Sequence, residues 1–485
     1  MNDYKIKNKK VYIIIFLLVL FFYFIQKLMG IANGQVALLK YIAIIYLSFL
    51  SFFIFYYLYK QKELSVEKKF LLIAVFFGIF FILMTPLMQG IDEGAHFYKI
   101  YSYFTKDNQL PKIIYKAHIE YKNFGAFEYI GKKVSFEDTM DPEVFRGANL
   151  YTWLSYLPYI IPMFFTAVVF KLDFYSIAII GRLFGFITYL VVSTYAIKIM
   201  PDRKKFMAAF CLMPAILTSV TAFSADLCTN LPVILFIALW YRLYKEERKI
   251  TKKELLLFCV LGIIMACSKI VYALIMLILF LLPAEKFGNS KNKRILIGII
   301  LGSILAVTIV NLLIIGSSMV NSYPKIEKQK NFIVTHPFKY LLIFVLSVIK
   351  NWDFIFRFTT NHTILHNIYF PSEIISYIYF MILLISLFDD DGGIKLNNKS
   401  RNLIIVIIFL IVFVLYTSLY VQWTAEFDGV ENSIINGMQA RYYIPIALMM
   451  CFIPTKKSKI NLDFMWYGIV LVNYIVLMNI VILVF

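Results

Sequence analysis

The feature that most constrains this chain is a rhythm: apolar runs of about 17 residues or more, parted by short polar links. The hydrocarbon core of a bilayer offers no partners to backbone N–H and C=O groups, so runs of this kind are stable there only as helices. Composition agrees with that reading. Of the 485 residues 61% are hydrophobic and 16% charged, with a mean hydropathy of +0.76, against about 45–50% apolar and about 25% charged in soluble domains. The fold class that follows is an all-α integral membrane protein with many crossings.

The net charge of +19 does not point to nucleic acid. The basic residues fall in clusters at 5–10, 60–69, 198–205, 242–253, 286–294, 395–401 and 456–459, the pattern that marks cytoplasmic loops. With these inside, run 11–29 leaves as an uncleaved signal anchor, 36–59 returns and 70–88 leaves again. The first large outer loop, 90–150, therefore opens on an acidic motif. Two runs, 151–170 and 175–199, precede the next basic cluster, and parity allows only one of them to cross. Pro158 and Pro162 mark the first as an element that lies in or re-enters the outer leaflet. Runs 206–223, 227–244, 255–267, 271–282 and 295–315 then alternate, with a bend at Ser268-Lys269. Run 338–349 is too short to cross and reads as an outer-surface helix. Runs 374–388, 402–421, 442–452 and 464–485 bring the total to about 13 crossings, N-terminus inside and C-terminus outside. The chain divides into an N-terminal hairpin with its loop (1–69), a membrane domain (70–454) and a last helix (455–485). The five cysteines all fall in apolar runs and read as core hydrophobes. There is no internal repeat and no Gly-rich nucleotide loop.

Chemistry is concentrated where polar residues interrupt this pattern. In Thr85-Pro86-Leu87-Met88-Gln89-Gly90-Ile91-Asp92-Glu93 two carboxylates stand side by side at the mouth of a span. On a helix Asp92, His96 and Lys99 would share one face. A catalytic or binding carboxylate is one reading; the other is a helix N-cap, which Asp and Glu favour. Asp226, with Ser224 and Asn230, Lys269, Arg182, and the trio Gln439, Arg441 and Tyr442 all fall toward the outer ends of expected spans. A lone charge at membrane depth is as readily a snorkelling or structural group as a functional one. Together they suit an anionic headgroup and a hydroxyl nucleophile. His362 and His366 have metal-ligand spacing but no third partner. No cofactor is fixed by these residues, although the outer carboxylates leave room for a divalent metal.

Four landmarks carry a resemblance: Pro86 with Asp92-Glu93 and His96-Phe97-Tyr98; Ser224, Asp226 and Asn230; Lys269 before a run ending at Pro283; and Gln439, Arg441, Tyr442 and Pro445. Over residues 70–454 the chain resembles a bacterial family of multi-pass membrane proteins, catalogued as a domain of unknown function and placed in the GT-C glycosyltransferase superfamily. It departs at Gly94, Lys99 and Ala440, where the family often has Pro, Arg and Gly. The resemblance implies a GT-C-like fold with in-plane helices beside the acidic loop. It also implies transfer of a sugar from a polyprenyl-phosphate donor to a cell-envelope glycan, lipid or polymer at the outer face of the plasma membrane. In that scheme Asp92, Glu93 and Asp226 are the catalytic carboxylates, Asp92 acting as base. Arg441, Lys269, Arg182 and Gln439 hold the donor phosphate, and His96, Tyr442 and Asn230 accompany them. The alternatives are a lipid-linked polysaccharide polymerase, ligase or transporter, or a non-catalytic assembly protein.

Overall fold

The structure, a computed structural model, describes residues 36–105, 109–119, 129–142, 144–145, 151–319, 324–360, 363–365, 368–369, 373–390, 392–394, 396–459 and 461–484. Run 11–29 and the pair His362 and His366 lie outside the described residues. What is described is mostly helical, with two short antiparallel pairings, Leu110–Pro111 with Thr139–Met140 and Thr363–Leu365 with Ile368–Tyr369.

Among the described residues six helices are long and apolar enough to cross a bilayer: Ala43–Lys60, Phe174–Ile199, Asp226–Lys245, Ser290–Leu313, Asn398–Phe427 and Leu462–Ile482. A seventh is added if the pair Pro324–Thr335 and Pro337–Lys350, bent by 105°, counts as one span. These do not account for the roughly 13 crossings expected from the apolar runs: run 11–29 lies outside the described residues, helix Val66–Met84 opens on three charged side chains, and several other runs are short or broken. Residues 206–223 form two short helices, Lys204–Cys211 and Pro214–Val220, since Pro214 cannot continue the first and opens the second. Ile270–Leu281 is wound as a 3-10 helix that starts after the extended residue Lys269. The proline-bearing run 151–170 changes pitch twice, from 3-10 at Trp153–Tyr156 through α at Leu157–Met163 to a π-turn at Phe164–Val169. Thr166 Oγ donates to the carbonyl of Pro162 within it.

The run expected to lie on the surface, 338–349, is the helix Pro337–Lys350. It buries Tyr340, Ile343, Phe344 and Ser347 and exposes Phe338, Leu342 and Ile349 on the opposite side. Its buried stripe packs on Phe413, Tyr416 and Tyr420.

Asp226–Lys245 is the most enclosed of the six long helices, with 83% of its apolar window buried against 22% for Ser290–Leu313. It therefore sits at the centre, packed against Phe174–Ile199 and Lys252–Ser268. Close approach to Phe174–Ile199 depends on small residues, as in other membrane bundles. A Cβ on Gly181 would lie 2.3 Å from the Phe223 ring, and one on Gly185 would lie 2.4 Å from the Tyr159 ring.

Charge segregates to the two ends of this bundle. At one end Lys205 bonds Asp389 at 2.5 Å and Asp463 at 2.9 Å, Lys204 meets Glu67 at 3.0 Å, and Lys245 meets Asp202 at 3.0 Å. Arg203, fully buried, ties Asp390, Thr455 and the carbonyls of Leu387 and Ile453 together. Helix Val66–Met84 runs from this end to the Pro86–Asp92 segment, and Asp226–Lys245 runs back to it. The other end holds Asp92, Glu93, Asp226, Lys269 and Arg441.

Candidate functional site

The segment after Met84 is a tight loop. Gln89 donates its side-chain amide to the carbonyls of Ala117 and His118, both at 2.7 Å. Met88 and Asp92 take left-handed backbone conformations, with φ of 59° and 58°, uncommon for residues with a Cβ and a mark of local constraint. Helix Glu93–Ser102 starts there, and Asp92 is its N-cap by backbone: the His96 N–H donates to the Asp92 carbonyl at 3.1 Å. The Asp92 side chain makes no capping bond. It reaches across the fold instead, accepting from Arg441 Nη2 at 2.5 Å over a sequence separation of 349 residues.

Arg441 also approaches Asp226, Nη1 to Oδ2, at 3.2 Å, and Lys269 Nζ bonds the other oxygen of Asp226 at 2.9 Å. Two carboxylates and two cations thus form a chain, Asp92–Arg441–Asp226–Lys269. Three of the four side chains are nearly enclosed; Asp92, at 43% side-chain exposure, is the open end. Each enclosed charge has an opposite one in contact, which burial requires. Tyr442 lies beneath both cations, its ring centroid 4.2 Å from Lys269 Nζ and 5.7 Å from Arg441 Cζ, a cation–π arrangement. Tyr272 Oη donates to the Tyr442 carbonyl at 2.7 Å and so fixes that platform. The break at Lys269 has a local cause: Lys252–Ser268 ends there, and Lys269 adopts φ −143° before the 3-10 helix begins.

Among the described residues Nε of Arg441 and Oε1 of Gln439, both buried, have no hydrogen-bond partner. One offers a donor and the other an acceptor, as recognition of a phosphate and a hydroxyl would use. Asn230, one turn after Asp226, is buried in the same helix. His96 bonds Tyr156 Oη through Nδ1 at 2.7 Å and packs edge-on to Tyr151. Burial pushes its imidazole down to about 4, against the pull of Asp92 and Asp226, so the ring is neutral at physiological pH.

Glu93 and Arg182 were expected in the same site; the structure pairs them with each other beside the chain of charges. Arg182 Nε and Nη2 donate to the Glu93 carboxylate at 2.7 and 2.6 Å. The remaining donors of Arg182 go to the carbonyls of Ile82, Thr85 and Pro86. Glu93 also accepts from the backbone N–H of Gly90 and Phe223. Both side chains are fully enclosed, and all five guanidinium donors are used. The pair is a clamp that pins the loop to two helices, with no bonding capacity left for a substrate.

Lys99, expected on the face of Asp92 and His96, lies 5.7 Å from the Tyr103 ring centroid. The tyrosines Tyr151, Tyr156 and Tyr272 were missed in the sequence. Each stands near the start of an apolar run, where aromatic residues ordinarily serve as interfacial anchors. Among the described residues no three His, Cys, Asp or Glu side chains gather as a metal site would need, and each carboxylate of the open chain already faces a cation.

Fold and site together define a multi-pass, all-α membrane protein with a largely buried chain of charges, open at Asp92, at one end of the bundle. A family model for a predicted membrane protein, DUF2142, matches residues 75–450, and the chain belongs to that family. No curated protein matches it, and no solved structure does.

Proposed function

We propose that the protein is a membrane glycosyltransferase of GT-C type that moves a sugar from a polyprenyl-phosphate donor to a hydroxyl of a cell-envelope acceptor, in a bacterial plasma membrane. One observation supports this above the others: Asp92 holds an N-cap position but spends its carboxylate on Arg441, at the open end of a chain of alternating charges. A helix cap needs no such arrangement. In this reading the end bearing Asp92 faces outside, the end rich in Lys faces the cytoplasm, and the short and broken apolar helices supply the crossings beyond the six long ones.

The geometry supports the following chemistry. A donor phosphate competes with Asp92 for Arg441, whose guanidinium suits phosphate oxygens as well as carboxylate. Asp92, released, accepts the proton of the acceptor hydroxyl as its oxygen attacks the anomeric carbon. The bond from that carbon to the phosphate oxygen breaks, the electron pair leaves with polyprenyl phosphate, and Arg441 and Lys269 neutralise the leaving charge. Direct displacement inverts the anomeric centre. Asp226 keeps both cations in place and ionised.

The test is a transfer assay with purified protein and a panel of polyprenyl-phosphate sugars, reading release of polyprenyl phosphate. Turnover that is present in the native chain and lost in Asp92→Asn is expected. A donor that is turned over equally by the Asp92→Asn variant would remove Asp92 from the chemistry and leave the chain of charges a structural network.

A further inference from the structure

A cavity lies at the opposite end of the bundle, and nothing in the proposed transfer uses it. Its volume is about 260 Å³, and it is enclosed by the end of helix Ala43–Lys60, the link to Val66–Met84, and the start of the last helix, Met465–Val484. It is smaller than the roughly 300–1,000 Å³ of pockets that hold whole drug-sized ligands, and so suits a headgroup. Three of its side chains carry the argument. Trp466 is 1% exposed, yet among the described residues its Nε1–H has no hydrogen-bond partner. Buried indole N–H groups are ordinarily satisfied, and Trp466 is one of the residues lining the cavity, so its open N–H calls for an acceptor. Lys69 is equally enclosed, and its closest carboxylate, Asp463, is 3.8 Å away and is held more tightly by Lys205 at 2.9 Å. Lys62 stands at the mouth, exposed, over the Tyr59 ring.

Asp463 also lines the cavity and would repel an anion if it were free. It is not free, because Lys205 and Lys69 both face it. Lys205 serves Asp389 as well, so Lys62, Lys69 and Lys205 stand against two carboxylates and the mouth keeps a surplus of positive charge. The rim is aromatic and faces outward: Tyr59 and Phe464 are half exposed. Aromatic side chains of this kind settle at the depth of lipid headgroups, and basic pockets between membrane helices take acidic headgroups.

We propose that this cavity binds the phosphate of an anionic phospholipid headgroup, with Trp466 Nε1–H and the Lys69 and Lys62 ammonium groups as donors. The acyl chains leave past Tyr59 and Phe464 along the bundle's flank. The site is independent of the transfer chemistry and stands or falls separately from it.

The experiment uses the full chain, delipidated in neutral detergent and titrated with dioleoyl phosphatidylglycerol or dioleoyl phosphatidylcholine, bound lipids being counted by native mass spectrometry. One phosphatidylglycerol should be retained per chain under conditions that strip phosphatidylcholine. Trp466→Phe keeps the ring and removes only the N–H; it should weaken retention about tenfold, the scale of one hydrogen bond to a charged group. Lys69→Met should do at least as much. Asp92→Asn, at the other end, should bind phosphatidylglycerol like the native chain. Equal retention of the two lipids, or undiminished retention in Trp466→Phe, would overturn the proposal. Inorganic phosphate at millimolar level is the third arm: if it occupies the site while phosphatidylglycerol does not, the ligand is a soluble phosphate and the lipid assignment falls.

Discussion

Asp92 and Glu93 are neighbours in the chain with opposite circumstances. Glu93 is sealed, bonded on both oxygens by Arg182 and two backbone amides. Asp92 is half open, and it bonds an arginine that a second carboxylate also holds. Both are charge pairs at the same end of the bundle, but burial assigns them different tasks. A sealed pair cannot exchange partners without leaving an uncompensated charge in low dielectric, so it serves rigidity. A pair with one exposed member exchanges partners at little cost, and a binding site needs that freedom. The left-handed turn at Asp92 produces the divergence: it sends one carboxylate toward Arg441 and starts the helix that carries the next one inward.

The contrast can be broken at either carboxylate. The largest effect is expected from Asp92→Asn, which should lower transfer by about 10²–10⁴-fold while shifting the thermal midpoint in detergent very little, since Arg441 retains Asp226. A large loss of stability in this variant would place Asp92 with Glu93 as a structural group. Arg182→Met should do the reverse. It strands Glu93 in the interior and should cost about 3–5 kcal/mol of stability, read as a fall in unfolding midpoint; Glu93→Gln in the Arg182→Met background should restore part of it. No loss in Arg182→Met would show that the clamp is dispensable.

A third effect sharpens the boundary between the two regions, because His96 is sealed yet lies beside the open chain. Its folded value, about 4, is below the ordinary 6.5, so the unfolded state binds more protons between those limits. The contribution is complete above pH 6.5 and is lost as pH falls toward about 4, amounting to about 3 kcal/mol. In His96→Gln the acid-side slope of unfolding midpoint against pH should flatten across that window; an unchanged slope would assign the acid sensitivity elsewhere. The smallest effect is expected from Arg441→Lys. Charge is kept and the fork is lost, so donor KM should rise about tenfold with the fold intact. An unchanged KM would remove the phosphate contact from Arg441.

The partners in the open chain were legible because each interrupts an apolar run, and alternation of runs between basic clusters put Asp92, Asp226, Lys269 and Arg441 at one end. Membrane segregation of charge carries that information with no knowledge of packing. The split between Asp92 and Glu93 was not legible. It depends on one backbone dihedral and on carbonyls from Ile82, Thr85 and Pro86 that gather around Arg182 only in the folded chain. Crossings were harder to count than charges were to place. Apolar length says nothing of where a helix breaks or changes pitch, although Pro214 marks a break and Pro162 a change of pitch.

The 3-10 winding of Ile270–Leu281 changes what its length means. At about 2.0 Å per residue its 12 residues span about 24 Å, a distance for which an α-helix would need about 16. Side chains three apart line up along one edge, and Tyr272, Ile275 and Ile278 are all fully buried. The stretch economises on residues: a segment that looks too short carries the chain from Lys269, in the charged chain, to Pro283 near the opposite end. Thickness in this bundle is set by pitch as well as by residue count, so an insertion within 270–281 would displace Lys269 even though it touches no charged group.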